Sequence, residues 1–306
     1  MPKIDIIDYN SWKPYDGFEA GSGRSEKIWL QSNDGRIGLF KYPKIDPKTN
    51  DITTEHISEH IAYRLGIVLG VKTAKIALGT YNKREGCMSY LLNKPNEEIM
   101  EGFSFIMGKH PDYNVDKMQE QDSGRYYCID HLLEISDSQD MQDKWIQMMI
   151  FDDIIGNADR HQNNWAILSK YMYTDKSNIY EACPLYDNGS SLCCYVNGSM
   201  IDSYLGNDKI RFQSLIDSKS QSMIRIDGYI KKHPTHTQVI TYLIDNYPTA
   251  VMIADEFCMK LTDDVIEKVM NDYCGILSDS KIELIKKFLI GKMKILKTVL
   301  MERGKR

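Results

Sequence analysis

Three residues with hard oxygen side chains stand out for their spacing. Asp159 lies in Gly156-Asn157-Ala158-Asp159-Arg160-His161-Gln162-Asn163-Asn164, and Asn164 follows it by five positions. Asp187, in Pro184-Leu185-Tyr186-Asp187-Asn188-Gly189, comes one predicted hairpin later. Asp159 can take the proton of an attacking hydroxyl. Asn164 and Asp187 offer ligands to Mg²⁺, an ion that prefers phosphates and a few protein oxygens to a full protein cage. A base and two metal ligands are what phosphoryl transfer requires of the catalytic half of a kinase-like site.

Such a site needs elements to hold a nucleotide, and the earlier residues supply candidates in order. Gly21-Ser22-Gly23-Arg24-Ser25-Glu26-Lys27 suits a phosphate-covering loop, because glycines let backbone N–H groups approach oxygens. On its own this stretch equally suits a turn before a strand, and it lacks the spacing of a P-loop. Lys41 ends a predicted strand and can bridge phosphates. Glu55 and Glu59 follow four residues apart on one face of a predicted helix, and either could pair with Lys41. Tyr90 to Leu92 precede a linker, Asn93-Lys94-Pro95-Asn96, where an adenine would meet backbone.

The surrounding pattern is α+β. Lys27–Leu30 and Ile37–Lys41 flank Asn33-Asp34-Gly35, a hairpin signal. Lys75–Tyr81 and Cys87–Leu92 flank a polar turn over Asn82–Gly86. Thr54–Leu65 reads as helix, with Thr53 as its N-cap and Gly66 as its stop. Beyond the linker, Tyr126–Ile135 and Asp140–Ile155 have helical apolar spacing, and short strands at Trp165–Leu168 and Ile179–Leu185 bracket the Asp159–Asp187 region. Residues 189–222, rich in Ser and Gly, read as a mobile loop. The last 70 or so residues read as a helical bundle. The expected architecture is two-lobed: a small β-rich N-lobe over residues 1–93 and a larger helical C-lobe over 94–306.

Composition narrows the class. At 42% hydrophobic and 26% charged residues, the 306-residue chain has material for a real core. A net charge of −5 argues against a general nucleic-acid binder. No apolar run approaches the ~18 residues of a membrane span, and no N-terminal stretch reads as a signal peptide, since Asp5, Asp8 and Lys13 interrupt it. Seven scattered cysteines without a C-x-x-C pair suggest reduced thiols in the cytoplasm.

With these residues in place, the chain resembles the HipA-like serine/threonine kinases, a bacterial family that includes toxin–antitoxin kinases. The resemblance rests on Gly21–Lys27, Phe40-Lys41-Tyr42-Pro43, Glu55 ahead of Leu65-Gly66-Ile67, Ile155–Asn164 and Pro184–Asp187, and spans roughly residues 18 to 195. It implies an ATP- and Mg²⁺-dependent kinase with a protein Ser or Thr as acceptor. Asp159 would be the general base, and His161 would shape the catalytic loop. Asn164 and Asp187 would be metal ligands. Lys41 would contact the nucleotide phosphates, with Glu55 as its partner by position. The toxin members inactivate themselves by phosphorylating a serine of the glycine-rich loop, so Ser22 and Ser25 are both candidates here. Those members also carry an extra N-terminal subdomain, whereas about 17 residues precede the loop in this sequence. That points to the stand-alone type and leaves an antitoxin partner unimplied.

Rival readings exist. His56-Ile57-Ser58-Glu59-His60 matches the inverted zinc-protease pattern, with both histidines on one helical face. The Asp-Arg-His-x-x-Asn string also occurs in phosphatidylinositol-kinase-like enzymes, which would make the acceptor a lipid or small molecule. An ATP-binding pseudokinase would share the same parts. The segment Lys286–Arg306 carries eight basic residues and one acid, with Leu289, Met293, Leu296 and Leu300 forming an apolar stripe. It reads as a packed last helix with a solvated basic face, or as a surface for an acidic partner or membrane.

Overall fold

The computed structural model describes residues 4–18, 26–46, 50–172 and 176–303. Gly21, Ser22, Gly23, Arg24 and Ser25, named above for the phosphate loop, lie outside the described residues.

The N-terminal part is built on a six-stranded sheet. Its strands are β1 (Ile7–Asp8), β2 (Lys13–Pro14), β3 (Lys27–Gln31), β4 (Ile37–Lys41), β5 (Ile76–Tyr81) and β6 (Arg84–Tyr90). Their spatial order is β1-β5-β6-β4-β3-β2. The β3–β4 hairpin forms where the Asn-Asp-Gly signal places it, with Lys27 opposite Lys41. The β5–β6 turn is tighter than expected. Asn82 and Lys83 both have positive φ, the requirement of a two-residue hairpin turn, so Arg84-Glu85-Gly86 joins the strand rather than the turn. One sheet face buries Tyr9, Leu30, Phe40, Tyr81 and Met88 together. The other face sets Ile76, Leu78 and Cys87 against helix α1 (Glu55–Leu69), through Ile57, Ile61 and Leu65.

Helix α1 runs one turn past its expected stop. Its cap is Gly70, in the left-handed conformation, whose N–H bonds the Gly66 carbonyl. Gly66 is internal, and a Cβ there would stand 2.8 Å from the Thr73 side chain. The glycine is needed for close packing, not for ending the helix. The assigned N-cap is Thr54, without a side-chain cap bond; Thr53 instead donates its hydroxyl to Glu55.

Beyond Tyr90 a second sheet appears. Strand β7 (Glu97–Glu101) leads into helix α2 (Gly102–Lys109), the two-stranded ribbon β8 (Tyr113–Asn114) and β9 (Gln119–Glu120), then α3 (Ile129–Glu134) and α4 (Gln139–Ile155). Strands β10 (Ala166–Met172) and β11 (Ser177–Ala182) follow the Asp159–Asn164 segment and pair with β7 in the order β11-β10-β7. Strand β7 has no alternation in its sequence, and it owes its conformation to five paired positions on β10.

Residues 189–222 are not one loop. They contain helices α5 (Ser199–Leu205) and α6 (Lys209–Ile216). Val196, Ile201 and Tyr204 bury against Leu284, so apolar side chains hidden among the serines decide the structure. The bundle closes with α7 (His236–Asn246), α8 (Pro248–Lys260), α9 (Asp263–Asn271) and α10 (Asp279–Arg303). Leu289, Met293 and Leu296 of the expected stripe are buried, with Leu300 packed beside them. One hydrophobic cluster runs from α1 through α4 to α10. It encloses the Lys292–Asp153 ion pair, 2.9 Å long and fully buried. No described helix is long and apolar enough to cross a membrane.

Candidate active site

A cleft of about 700 Å³ opens between the six-stranded sheet and the segments that follow α4. Trp29, Leu39, Leu92 and Ile99 form apolar walls, and Lys41, Glu59, Asp159, Asn164 and Asp187 line the polar side. Tyr90, Leu91 and Leu92 border it where the β6 strand ends, the place expected for adenine. A second cavity, of about 610 Å³ between α6, α7 and α10, shares none of these residues.

Strand β4 delivers Lys41 into the cleft. Its ammonium donates to Asp187 Oδ1 at 2.9 Å and stands 3.8 Å from Glu59 Oε1. The expected Lys41–Glu55 pair does not form. Glu55 is the first residue of α1 and faces outward to Lys44, whose Nζ lies 2.8 Å from its Oε1. Glu59, one turn deeper, faces the sheet and is almost fully buried. Four residues along a helix share a face but differ by about 6 Å in height, and here that height decides the partner. Burial opposes the Lys41 charge, but Asp187 and Glu59 outweigh it and hold the pKa above the ordinary lysine value. Burial raises the Glu59 carboxyl, with Lys41 countering.

Asp187 has φ near +57°, a left-handed conformation uncommon for a residue other than glycine. Bonds between Leu185 and the Lys72–Ala74 backbone pin the chain just before it. Just after it, Gly189 passes so close to α1 that a Cβ would meet Glu59 Oε2 at 3.1 Å and the Glu55 carbonyl at 3.2 Å. Lys41, working against burial, pulls the Asp187 carboxyl down to about 2. The carboxylate is therefore ionised at any physiological pH.

Asp159 and Asn164 are set by a loop that sequence reasoning named but did not explain. Arg160, fully buried, is its hub. Its Nε and Nη2 donate to the two oxygens of Asp152, at 2.9 and 2.8 Å. Its Nη1 donates to the carbonyls of Asn164 (2.6 Å) and Tyr186 (2.8 Å), and Nη2 also donates to Asn188 Oδ1 at 2.6 Å. One guanidinium thus fixes the backbone at both prospective metal ligands. The positioning roles of Asp152, Arg160 and Asn188 were missed, whereas Glu59 stood beside Glu55 as a possible partner of Lys41. The signal available was an arginine and an aspartate flanking a helix stop, eight positions apart.

Asn164 donates its amide N–H to the Asp159 carbonyl at 2.7 Å, which commits the nitrogen and frees the amide oxygen. Asp187 has one carboxylate oxygen on Lys41, and its other oxygen makes no hydrogen bond among the described residues. Two hard oxygens, one of them anionic, fit Mg²⁺. Burial raises the Asp159 carboxyl above its ordinary value, against the nearby His161. His161 Nε2 lies 4.0 Å from Asp159 Oδ1. A carboxylate raised in this way is a better proton acceptor than a solvated one.

The rival zinc motif does not converge. Glu59 faces Lys41, and His60 Nδ1 is hydrogen-bonded to Tyr273 at 2.8 Å. Among the described residues the one His/carboxylate group close enough to share an ion is His110, Glu120 and His131, away from this helix.

No protein-family model matches the chain. In sequence it is 24% identical to the serine/threonine-protein kinase CtkA of Helicobacter pylori, over 89% of this chain and 87% of that protein. The crystal structure of the H. pylori proinflammatory kinase CtkA superposes with a TM-score of 0.78 at 18% identity, covering 97% of this chain and 99% of that one. The likeness in sequence and fold supports a serine/threonine kinase of the CtkA type. Shewanella oneidensis HipA, solved with HipB and operator DNA, shares the fold more distantly: TM-score 0.50 and 14% identity, over 97% of this chain and 74% of HipA. Against CtkA, the α+β two-lobed expectation is borne out across nearly the whole chain.

Proposed function

We propose that this HipA-like kinase transfers the γ-phosphate of ATP, with Mg²⁺, to a serine or threonine of a protein in the cytoplasm. The single observation that carries the proposal is the convergence of Lys41, Asp187, Asn164 and Asp159 on one cleft. Residues 1–93 and 94–306 are taken as the two lobes that close on the nucleotide. The adenine lies against Tyr90–Leu92, and Lys41, held by Glu59, meets the phosphates. Glu55 borders the cleft at its α1 rim. Asn164 and Asp187 hold Mg²⁺, which neutralises phosphate charge when bound. Asp159 receives the proton of the acceptor hydroxyl, and His161 supports the loop that carries it. Gly21, Ser22, Gly23, Arg24 and Ser25 cover the phosphates, and Ser22 or Ser25 is the site of self-modification.

The test is incubation of the purified protein with ATP and Mg²⁺, followed by intact mass and phosphosite mapping. One added phosphate on Ser22 or Ser25 is the expected result. ATP binding with no phosphate on the protein or on any added protein acceptor would favour the pseudokinase reading.

A further inference from the structure

We propose that Lys44 is the cation that meets the phosphoryl group in flight, a role separate from that of Lys41. The inference rests on the kinase reading above. Phosphoryl transfer spreads negative charge over the equatorial oxygens of the moving group, and a positioned cation there lowers the barrier. The stretch Asp159–Asn164 contains no lysine. Its arginine, Arg160, is buried and turned away onto Asp152. Among the described residues three lysines line the cleft: Lys27, Lys41 and Lys44. Lys41 is committed to Asp187 and Glu59. Lys27 sits opposite Lys41 at the start of β3, on the nucleotide side of the sheet.

Lys44 is placed differently. It lies beyond the end of β4, and its carbonyl is pinned by the Thr53 N–H at 2.8 Å. Its ammonium makes one ion pair, with Glu55 Oε1 at 2.8 Å, and its other N–H groups have no partner among the described residues. Its side chain is 38% exposed, so it is open to the cleft mouth rather than sealed in protein. Glu55 in turn is held on both oxygens: Oε1 also accepts from Tyr195 at 2.6 Å, and Oε2 from Thr53 at 3.0 Å. Tyr195 belongs to the segment after Asp187, and Cys194 of that segment accepts the Thr54 N–H. A carboxylate fixed from both sides therefore holds one lysine in the lining of the cleft that Asp159 shares.

In the step itself the acceptor oxygen bonds to the γ-phosphorus, and the bond from that phosphorus to the bridging oxygen breaks. The bonding pair leaves on ADP, the hydroxyl proton goes to Asp159, and Lys44 keeps its proton throughout.

The experiment compares wild type, Lys44→Gln and Lys44→Arg in phosphate transfer from γ-labelled ATP-Mg²⁺ to dephosphorylated casein, with ATP affinity measured separately by a fluorescent nucleotide. Lys44 is partly exposed, so the variants fold. Lys44→Gln should lower kcat on the order of 100-fold and leave the ATP dissociation constant within about twofold, and Lys44→Arg should recover most of the rate. Unchanged kcat in Lys44→Gln, or a loss confined to the KM for casein, overturns the assignment while the kinase reading stands. A wild-type protein that transfers no phosphate to casein or to itself removes both.

Discussion

Removing the Asn188 side chain tests whether Arg160 holds the two proposed metal-ligand segments in register. In Asn188→Ala the guanidinium loses one charge-assisted bond of 2.6 Å and keeps four others. The freed N–H stays buried, so the expected cost is about 1.5–3 kcal/mol. Asp152→Ala goes further. It removes both bonds to the carboxylate and leaves a buried cation uncompensated, which costs about 3–5 kcal/mol, a large share of a typical folding free energy of about 5–15 kcal/mol. Asn188→Ala is therefore the informative variant, because it weakens the hub without emptying it. Urea unfolding should show a lower midpoint at unchanged slope. The folded variant should also need more Mg²⁺ for half-maximal phosphate transfer, because Asn188 adjoins Asp187 and shares its arginine with Asn164. A stability loss below about 0.5 kcal/mol, with an unchanged Mg²⁺ requirement, would refute the hub. A stability loss with unchanged Mg²⁺ dependence would reduce Arg160 to packing.

Two further predictions concern charge. Glu59→Gln should lower phosphate transfer at least about tenfold, equal to about 1.4 kcal/mol of transition-state stabilisation, and Glu55→Gln should lower it less; the reverse order in a kinetic comparison would restore Glu55 as the Lys41 partner. Burial holds His56, His60 and His131 down to about 4 and His236 down to about 3. The unfolded chain takes up these protons near pH 6.5, so their contribution is full above that pH and is lost as pH falls toward 4. Each histidine adds about 1.4 kcal/mol per pH unit to the slope. Urea midpoints at pH 7 and pH 5 should differ clearly, and equal midpoints would show that the histidines are not buried neutral.

What could be read in the sequence depended on how local its cause was. The β3–β4 hairpin and α4 follow from neighbouring residues, and both appear. The order Lys, Glu, Asp, Asn, Asp was equally legible, because each type is demanded by the chemistry. The choice between Glu55 and Glu59 was not, since period alone gives both the same face, and only the height of α1 against β4 separates them. Strand β7 is set by its pairing with β10, across more than sixty residues. Helices α5 and α6 hide in a serine-rich stretch because a few apolar residues there meet Leu284 of α10. Gly66 looked like a helix stop, and close packing on Thr73 explains it instead.

The central claim is that Asp159 and Asp187 carry out phosphate transfer. Its most direct test is γ-labelled ATP with Mg²⁺ added to wild type, Asp159→Ala and Asp187→Ala, each first shown to be folded by its unfolding midpoint. The account predicts label on the wild-type protein or on an added protein acceptor, and none above background for either variant. Transfer by either variant at near the wild-type rate would contradict it.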